Sequence, residues 1–462
     1  MSLMTASVLW MRRDLRRQDH PALLAAAQAG VVHPLFVIDP TLWRSGGVPR
    51  RAWLAATLEA TRAAYDGQLT IRVGDPSEIV PAFAAEVGAR SVHVSRETRP
   101  FGARRDTALA RVLEDADIAW VETGTPYAVG PGLVVRRDTD TPYQVFTPWS
   151  RAWRAHGWPA PAREGAGTTF GRRDDDDEVA ALLAKALQDT TIGLPRAGED
   201  AAAQRWREFC EGALAAYDTG RDRPDEDGTT ALSPYLTLGV VHPRTLLAGL
   251  ADRSDPGAER LVTELAWREF YADVLWHHPR SAWHDLSTRL ADLGHDEPDD
   301  AVDAWRTGTT GYPFVDAGMR QLLQTGWMHN RLRMVTASFL VKDLHVRWQV
   351  GARFFLDHLI DGDIASNNGG WQWVAGTGTD AAPYHRIFNP ITQGERFDAR
   401  GDYVRRWVPE LRHVPGKAVH TPWTVTDGLS QGYPARIVDH AQERKVSLDR
   451  LARSRRTGPD GH

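Results

Sequence analysis

Residues Asp361–Trp373 read DGDIASNNGGWQW, and the segment ahead of them, from Gly326 to Met334, reads GWMHNRLRM. A helical wheel started at Asn330 puts Leu332, Val335 and Phe339 on one face and Asn330, Arg333 and Met334 on the other. One side packs and the other presents polar groups. Asp361 and Asp363 flank Gly362, and Asn367-Asn368-Gly369-Gly370 predicts a tight turn that lets the backbone approach a ligand ahead of Trp371 and Trp373. Two carboxylates, an arginine, amides and aromatics thus converge on one locality. Each alone has an ordinary structural explanation as a surface ion pair, a turn or packed indoles.

The chain has 462 residues, enough for two domains and for burying a large ligand. Its single cysteine, Cys210, excludes an intramolecular disulfide and a cysteine-built metal site, fits a reducing cytosol and reads as a small buried hydrophobe. No metal is expected. No apolar run is long enough to cross a bilayer. Arg12-Arg13 is followed by Asp14, Arg16 and Arg17 instead of a secretory core, so a cytoplasmic protein with no membrane partner is expected. The net charge of −5 argues on average against nucleic acid. Local charge decides more, since phosphate contacts act within about 10 Å, and Gly326 to Arg353 holds five Lys/Arg against one Asp.

Apolar, β-branched runs at Ser7–Met11, Val31–Ile38, Leu69–Val73, Ser91–Val94 and Ile118–Val121 alternate with alanine-rich helical stretches at Pro21–Ala29, Arg51–Tyr65 and Ser77–Val87. That alternation predicts an α/β domain with a mostly parallel, Rossmann-like sheet of about five strands covered on both faces. The turn after the first run reads RRDLRRQDHPAL, without the glycines of a dinucleotide fingerprint, which disfavours a conventional NAD site. From Pro159 to about Asp200 the chain carries Pro, Gly and a four-Asp run from Asp174, read as a solvated linker with one helical patch at Val179–Leu187. After Ala201 the pattern is helical throughout. The expected boundaries are 1–130 for the α/β domain, 131–200 for the linker and 201–462 for the helical domain.

The segments TGYPFVDAGMRQL from Thr310, GWMHNRLRM, ASFLVKDL from Ala337, DGDIASNNGGWQW and RIFNP from Arg386 resemble the DNA photolyase and cryptochrome family, most closely its class I cyclobutane pyrimidine dimer branch. The likeness runs, with gaps, from VLWMRRDLR at Val8 to GYPARIVDH at Gly432. It implies an amino-terminal antenna-chromophore domain, a helical domain binding FAD and DNA, and a carbon–carbon lyase that opens cyclobutane pyrimidine dimers in UV-damaged DNA. The enzyme is expected to act as a monomer, associated with the nucleoid when on DNA. The resemblance assigns Tyr217, Thr229, Thr230, Leu232 and Ser233 to the FAD phosphates and sugar. It places Arg268, Asn330, Arg333, Asp361, Asp363 and Asn367 around the flavin and adenine, with Asn367 facing flavin N5. By themselves the Thr and Ser hydroxyls could cap the following helix or bind phosphate at its end, and the resemblance adds weight to the ligand reading.

A lesion inside the duplex stack cannot reach a buried cofactor, so such an enzyme extrudes the damaged bases. The resemblance makes Trp267 and Trp373 the pocket walls, Glu264 and Asn330 its hydrogen-bonding groups and Met334 a packing contact, with Arg221 and Arg331 near the phosphates. Excited, reduced FAD would donate the electron while the protein supplies position and electrostatics. Asn at 367, and His329-Asn330 followed by Met334, favour dimer repair over the rival readings, a cryptochrome photoreceptor and a (6-4) photolyase. The stretch ETRPFGARRD from Glu97 resembles the type that binds 8-hydroxy-5-deazaflavin as antenna, with 5,10-methenyltetrahydrofolate the alternative. The family's electron relay maps onto Trp371 and Trp348, with His295 where an outermost tryptophan is expected and Trp276, Trp283 or Trp305 as detours.

Overall fold

The computed structural model describes residues 5–136, 138–163, 168–171, 177–287, 290, 293–380 and 386–457. Residues 174–176 of the acidic run lie outside these. Among the described residues the chain divides into two compact units, one comprising Met1–Gly212 with Thr230–Pro279 and the other Ala213–Thr229 with Arg280–His462.

In the first unit β1 (Thr5–Met11), β2 (Gly30–Ile38), β3 (Thr70–Val73), β4 (Ala89–Val94) and β5 (Ala119–Glu122) form a parallel sheet in the order β3-β2-β1-β4-β5. Val8, Leu9, Trp10 and Met11 of central β1 are all buried, as a strand covered on both faces requires. A sixth strand, β6 (Thr169–Phe170), pairs with Val31 and Val32 on the edge of β2 that β3 occupies further along. It falls in the expected linker and is too short to give a periodic signal. The chain order reverses beside β1, and the loops after β1 and β4 meet there. Arg12 donates to Asp106 Oδ2 at 2.8 Å and to the Ser95 carbonyl, and the Arg12 and Arg105 guanidiniums lie 4.5 and 4.7 Å from the Trp10 ring centre.

Helix starts are strongly marked. His20-Pro21, Asp39-Pro40, Asp75-Pro76, His242-Pro243, Asp255-Pro256 and Asn389-Pro390 each place an accepting side chain at the cap and a proline, which has no N–H to leave unpaired, at the first helical position.

The segment 131–200 departs most from its reading as linker, because a helix at Phe146–His156 buries Phe146, Trp149 and Trp153 within the first unit. Two carboxylates one turn apart on the helix Pro256–His277 hold it. Trp153 Nε1 donates to Glu269 at 2.7 Å and Trp149 Nε1 to Asp273 at 3.1 Å, while Ala128, Val129 and Gly132 donate backbone N–H groups to the same pair. Burial raises the pKa of both acids, the expected effect on carboxylates removed from water. Cys210, expected as a buried hydrophobe, is partly exposed on the helix Glu199–Glu211.

The second unit is helical. Helices Pro313–Thr325, Asn330–Ser338, Trp348–His358 and Ile364–Ala375 surround a core that includes Trp305, Phe314, Leu332, Phe339, Phe355 and Trp371. Gly318 permits the first two to pack closely, since a Cβ there would sit 3.1 Å from Leu332 Cβ. A single π turn, Phe339–Asp343, follows the second helix and buries Lys342, whose Nζ donates to the Ala375 carbonyl at 2.8 Å. No described helix is long and apolar enough to cross a membrane.

Candidate functional site

The Asn330–Ser338 helix faces as the wheel predicts. Leu332 and Val335 are buried, Arg333 and Met334 partly exposed and Asn330 exposed. His329 caps the helix by accepting the Arg331 N–H at Nδ1, and burial lowers its pKa to about 4, so the ring is neutral. Arg333 donates to the Met328 carbonyl at 2.8 Å and to Asp361 Oδ2 at 2.7 Å, joining the two quoted stretches through a charge pair whose acid is buried.

The predicted turn at 367–370 does not form. Asp363 accepts the N–H groups of Ala365 and Ser366 and caps a helix, Ile364–Ala375, that runs straight through Asn367-Asn368-Gly369-Gly370. Turn propensity loses to the cap and to packing against Trp348–His358, where a Cβ on Gly351 would lie 2.1 Å from the Trp371 ring. The helix gives these residues distinct faces. Asn367 donates from Nδ2 to the Ala352 carbonyl at 3.1 Å and to Asn368 Oδ1 at 2.8 Å; its own Oδ1 has no partner among the described residues and remains an acceptor at a partly exposed position. Asn368 and Gln372, one turn apart and both buried, bind the Ala282 and Ser281 carbonyls. A wheel over the quoted stretch would have shown that pair; the turn reading concealed it.

Trp371 is buried, with edge contacts to Phe355 and Trp305 at ring separations of 5.0 and 6.2 Å. Trp305 is itself fully buried, with Nε1 donating to the Thr336 carbonyl. Trp348 donates from Nε1 to Asp285 Oδ1 at 2.6 Å. Burial, aided by the Arg347 charge and opposed by that of Asp285, lowers the pKa of His295. Trp373 is partly exposed with the Arg386 guanidinium 5.9 Å from its ring.

Arg331 and Arg221 are engaged within their own unit. Arg331 donates to Asp222 Oδ1 at 2.7 Å and stacks on Phe397 at 4.1 Å, and Arg221 lies 4.0 Å from the same carboxylate. Tyr217, in the same unit, is buried in a one-turn helix.

Thr229 closes the Ala213–Thr229 segment of the second unit, and the first unit holds the remaining residues. Trp267 stacks face to face on Phe146 at 3.7 Å with 7° between the planes, so one indole face is backed by protein. Phe146 had no sequence signal, being far along the chain in the expected linker. Glu264 pairs with Arg260 at 3.2 Å one turn away. Arg268 donates to the Pro126 and Leu236 carbonyls at 3.2 and 3.3 Å and lies over Tyr127. Thr230 Oγ1 accepts the Leu232 N–H at 3.3 Å, a local cap, and Ala231 between them has a left-handed φ of 49°, which costs a non-glycine residue about 1 kcal/mol or more. The residue at the cap of the helix Ser233–Leu238 that follows is Leu232, whose side chain makes no capping hydrogen bond.

Residues 261–453 match the model of the FAD binding domain of DNA photolyase, and residues 7–165 match that of DNA photolyase. A deoxyribodipyrimidine photo-lyase of Streptomyces griseus is 41% identical over 96% of this chain and 98% of its own. The chain belongs to the DNA photolyase family. Two solved structures show how widely the family fold is shared. A bacterial class III photolyase from Agrobacterium tumefaciens superposes with a TM-score of 0.90 at 36% identity, covering 99% of both chains. A cryptochrome from Synechocystis sp. PCC6803 superposes at 0.86 and 25% identity, over 97% of this chain and all of the other. Family membership shows the two-domain α/β and helical fold and an FAD-binding domain. Among the described residues no group of three or more His, Cys, Asp or Glu is placed to hold a metal ion.

Proposed function

We infer that this chain is a deoxyribodipyrimidine photo-lyase that repairs cyclobutane pyrimidine dimers under blue light. The observation that carries the reading is the joining of the two quoted stretches by Arg333 and Asp361, with the open acceptor Asn367 Oδ1 on the adjoining helix, in a chain of this family. These groups suit FAD. A buried carboxylate and its guanidinium meet polar ring edges, and an amide acceptor suits a flavin N5–H. Tyr217, Thr229, Thr230, Leu232 and Ser233 would bind the phosphates and sugar, and Arg268, Asn330 and Asp363 would complete the set around the flavin and adenine.

FAD, when bound and reduced, supplies the electron on excitation. The chain's own residues do the rest: Trp267 and Trp373 flank the extruded lesion, Glu264 and Asn330 hydrogen-bond its carbonyl and N–H groups, and Met334 packs against it. Arg221 and Arg331 meet DNA phosphates. The two roles map onto residues 1–130 for the antenna and 201–462 for FAD and DNA. The antenna is 8-hydroxy-5-deazaflavin, supported by the stretch from Glu97 at the carboxyl end of the sheet, where Gly102 leaves room for the Glu97 side chain. The protein works as a cytoplasmic monomer.

Dimer-containing DNA incubated with the protein under blue light should regain intact pyrimidines, with no change in a dark control. Lesion binding without light-dependent repair would favour the cryptochrome-type reading, which the Synechocystis likeness keeps as the second choice. Repair of (6-4) products alone would overturn the lesion assignment.

A further inference from the structure

Trp348 is buried at the start of its helix, and its Nε1–H points at Asp285 Oδ1, 2.6 Å away. A neutral indole N–H needs only a carbonyl, as Trp305 and Trp53 show with Thr336 and Pro234. The carboxylates under Trp149 and Trp153 also collect backbone N–H groups and so organise the chain. Asp285 differs from them. Among the described residues its carboxylate makes no hydrogen bond except the one to Trp348.

Its segment is nevertheless pinned. Asn368 and Gln372 bind the Ala282 and Ser281 carbonyls, Leu286 N donates to Gln372 Oε1 at 2.9 Å, Ser287 N to the Thr377 carbonyl at 2.8 Å, and Gln349 Nε2 to the Trp283 carbonyl at 3.3 Å. Asn368, Gln372 and Gln349 belong to the same two helices that carry Trp371 and Trp348. The arrangement spends three amide side chains on fixing one carboxylate against one indole.

We propose that Asp285 accepts the proton of Trp348 when that indole is oxidised. This rests on reading Trp371 and Trp348 as an electron relay. One electron leaves Trp348 for oxidised Trp371, whose own electron has gone to light-excited, oxidised FAD. An indole cation radical is a far stronger acid than indole, so the Nε1 proton crosses the hydrogen bond to Asp285 Oδ1. A neutral indolyl radical and a carboxylic acid result. The electron can then return only if the proton does too, which slows recombination in a chain with His295 where an outer tryptophan is expected. One electron from a soluble thiol and the proton held by Asp285 restore Trp348.

The test is time-resolved absorption of the full, FAD-loaded, oxidised chain after a blue flash, in H2O and D2O, for the parent, Asp285→Asn, Asp285→Glu and Trp348→Phe. In the parent the tryptophan cation-radical band should give way to the neutral-radical band, more slowly in D2O. Asp285→Asn keeps an acceptor for Nε1 but takes up no proton, so the cation radical should persist without the neutral form and decay several-fold faster. Asp285→Glu should restore the neutral form. An unchanged rate and isotope effect in Asp285→Asn would overturn the proposal, provided that Trp348→Phe loses the long-lived signal. A signal unaltered in Trp348→Phe would instead overturn the relay reading beneath it.

Discussion

Arg331 Nη2 lies 2.7 Å from Asp222 Oδ1, so an arginine assigned to DNA phosphate is held by a carboxylate of its own unit. Phosphate must compete with Asp222 for it. Arg331→Ala should weaken binding of damaged and undamaged DNA alike and lower the slope of log affinity against log salt by about 0.9, the value for one phosphate contact. Asp222→Asn should strengthen both. Salt titrations of binding decide, and a loss confined to damaged DNA would reassign Arg331 to the lesion.

Phe146 backs Trp267 at 3.7 Å and thereby sets the angle of the indole. Trp267→Ala and Trp373→Ala should each weaken dimer binding by ~1–3 kcal/mol, the usual contribution of stacking on a base, with FAD content unchanged. Phe146→Ala should cost less, about 0.5–1.5 kcal/mol, because it removes only an aromatic pair. Equal affinity of Trp267→Ala and parent for damaged DNA would refute the wall assignment.

Breaking the Arg333–Asp361 pair leaves a charge behind. Asp361→Asn should lower stability toward the smaller end of the ~3–5 kcal/mol expected for a buried pair, since Arg333 keeps a quarter of its side chain exposed. FAD should be lost on gel filtration of the variant, and retention with an unchanged melting temperature would contradict this assignment.

Burial lowers Lys342 to a pKa of about 7 from its ordinary 10.5. Between those values the unfolded chain binds more protons than the folded one, so the contribution of Lys342 to stability rises with pH from about 7 to 10.5 and is least favourable below 7. Melting temperatures of the parent minus those of Lys342→Met, followed across that window, should climb with pH. A flat difference would show that the ammonium is not paying for its burial.

His295 carries an imidazole that is far harder to oxidise than an indole, and it feels the charges of Arg347 and Asp285. His295→Trp should speed light-driven reduction of bound FAD and lengthen the tryptophan radical lifetime, leaving repair by chemically reduced enzyme unchanged. Trp305 is no surface exit, being fully buried beside Trp371. A parent radical as long-lived and abundant as that of the variant would show a complete route elsewhere.

The amino-acid sequence alone determined the parallel sheet and the packed and polar faces of the Asn330–Ser338 helix. Both are matters of backbone hydrogen bonding and burial over a few neighbouring residues, which local periodicity records. It also placed Arg333 and Asp361 in one locality. Only the tertiary structure decided that 367–370 is helix and not turn, that Phe146 backs Trp267, that Asp222 occupies Arg331 and that Asp285 meets Trp348. Those outcomes depend on partners brought together from distant parts of the chain, 63 positions apart for Asp285 and Trp348. A carboxylate beside an indole leaves no periodic trace in sequence, because its energy comes from desolvation and contact that exist only once the helices have packed.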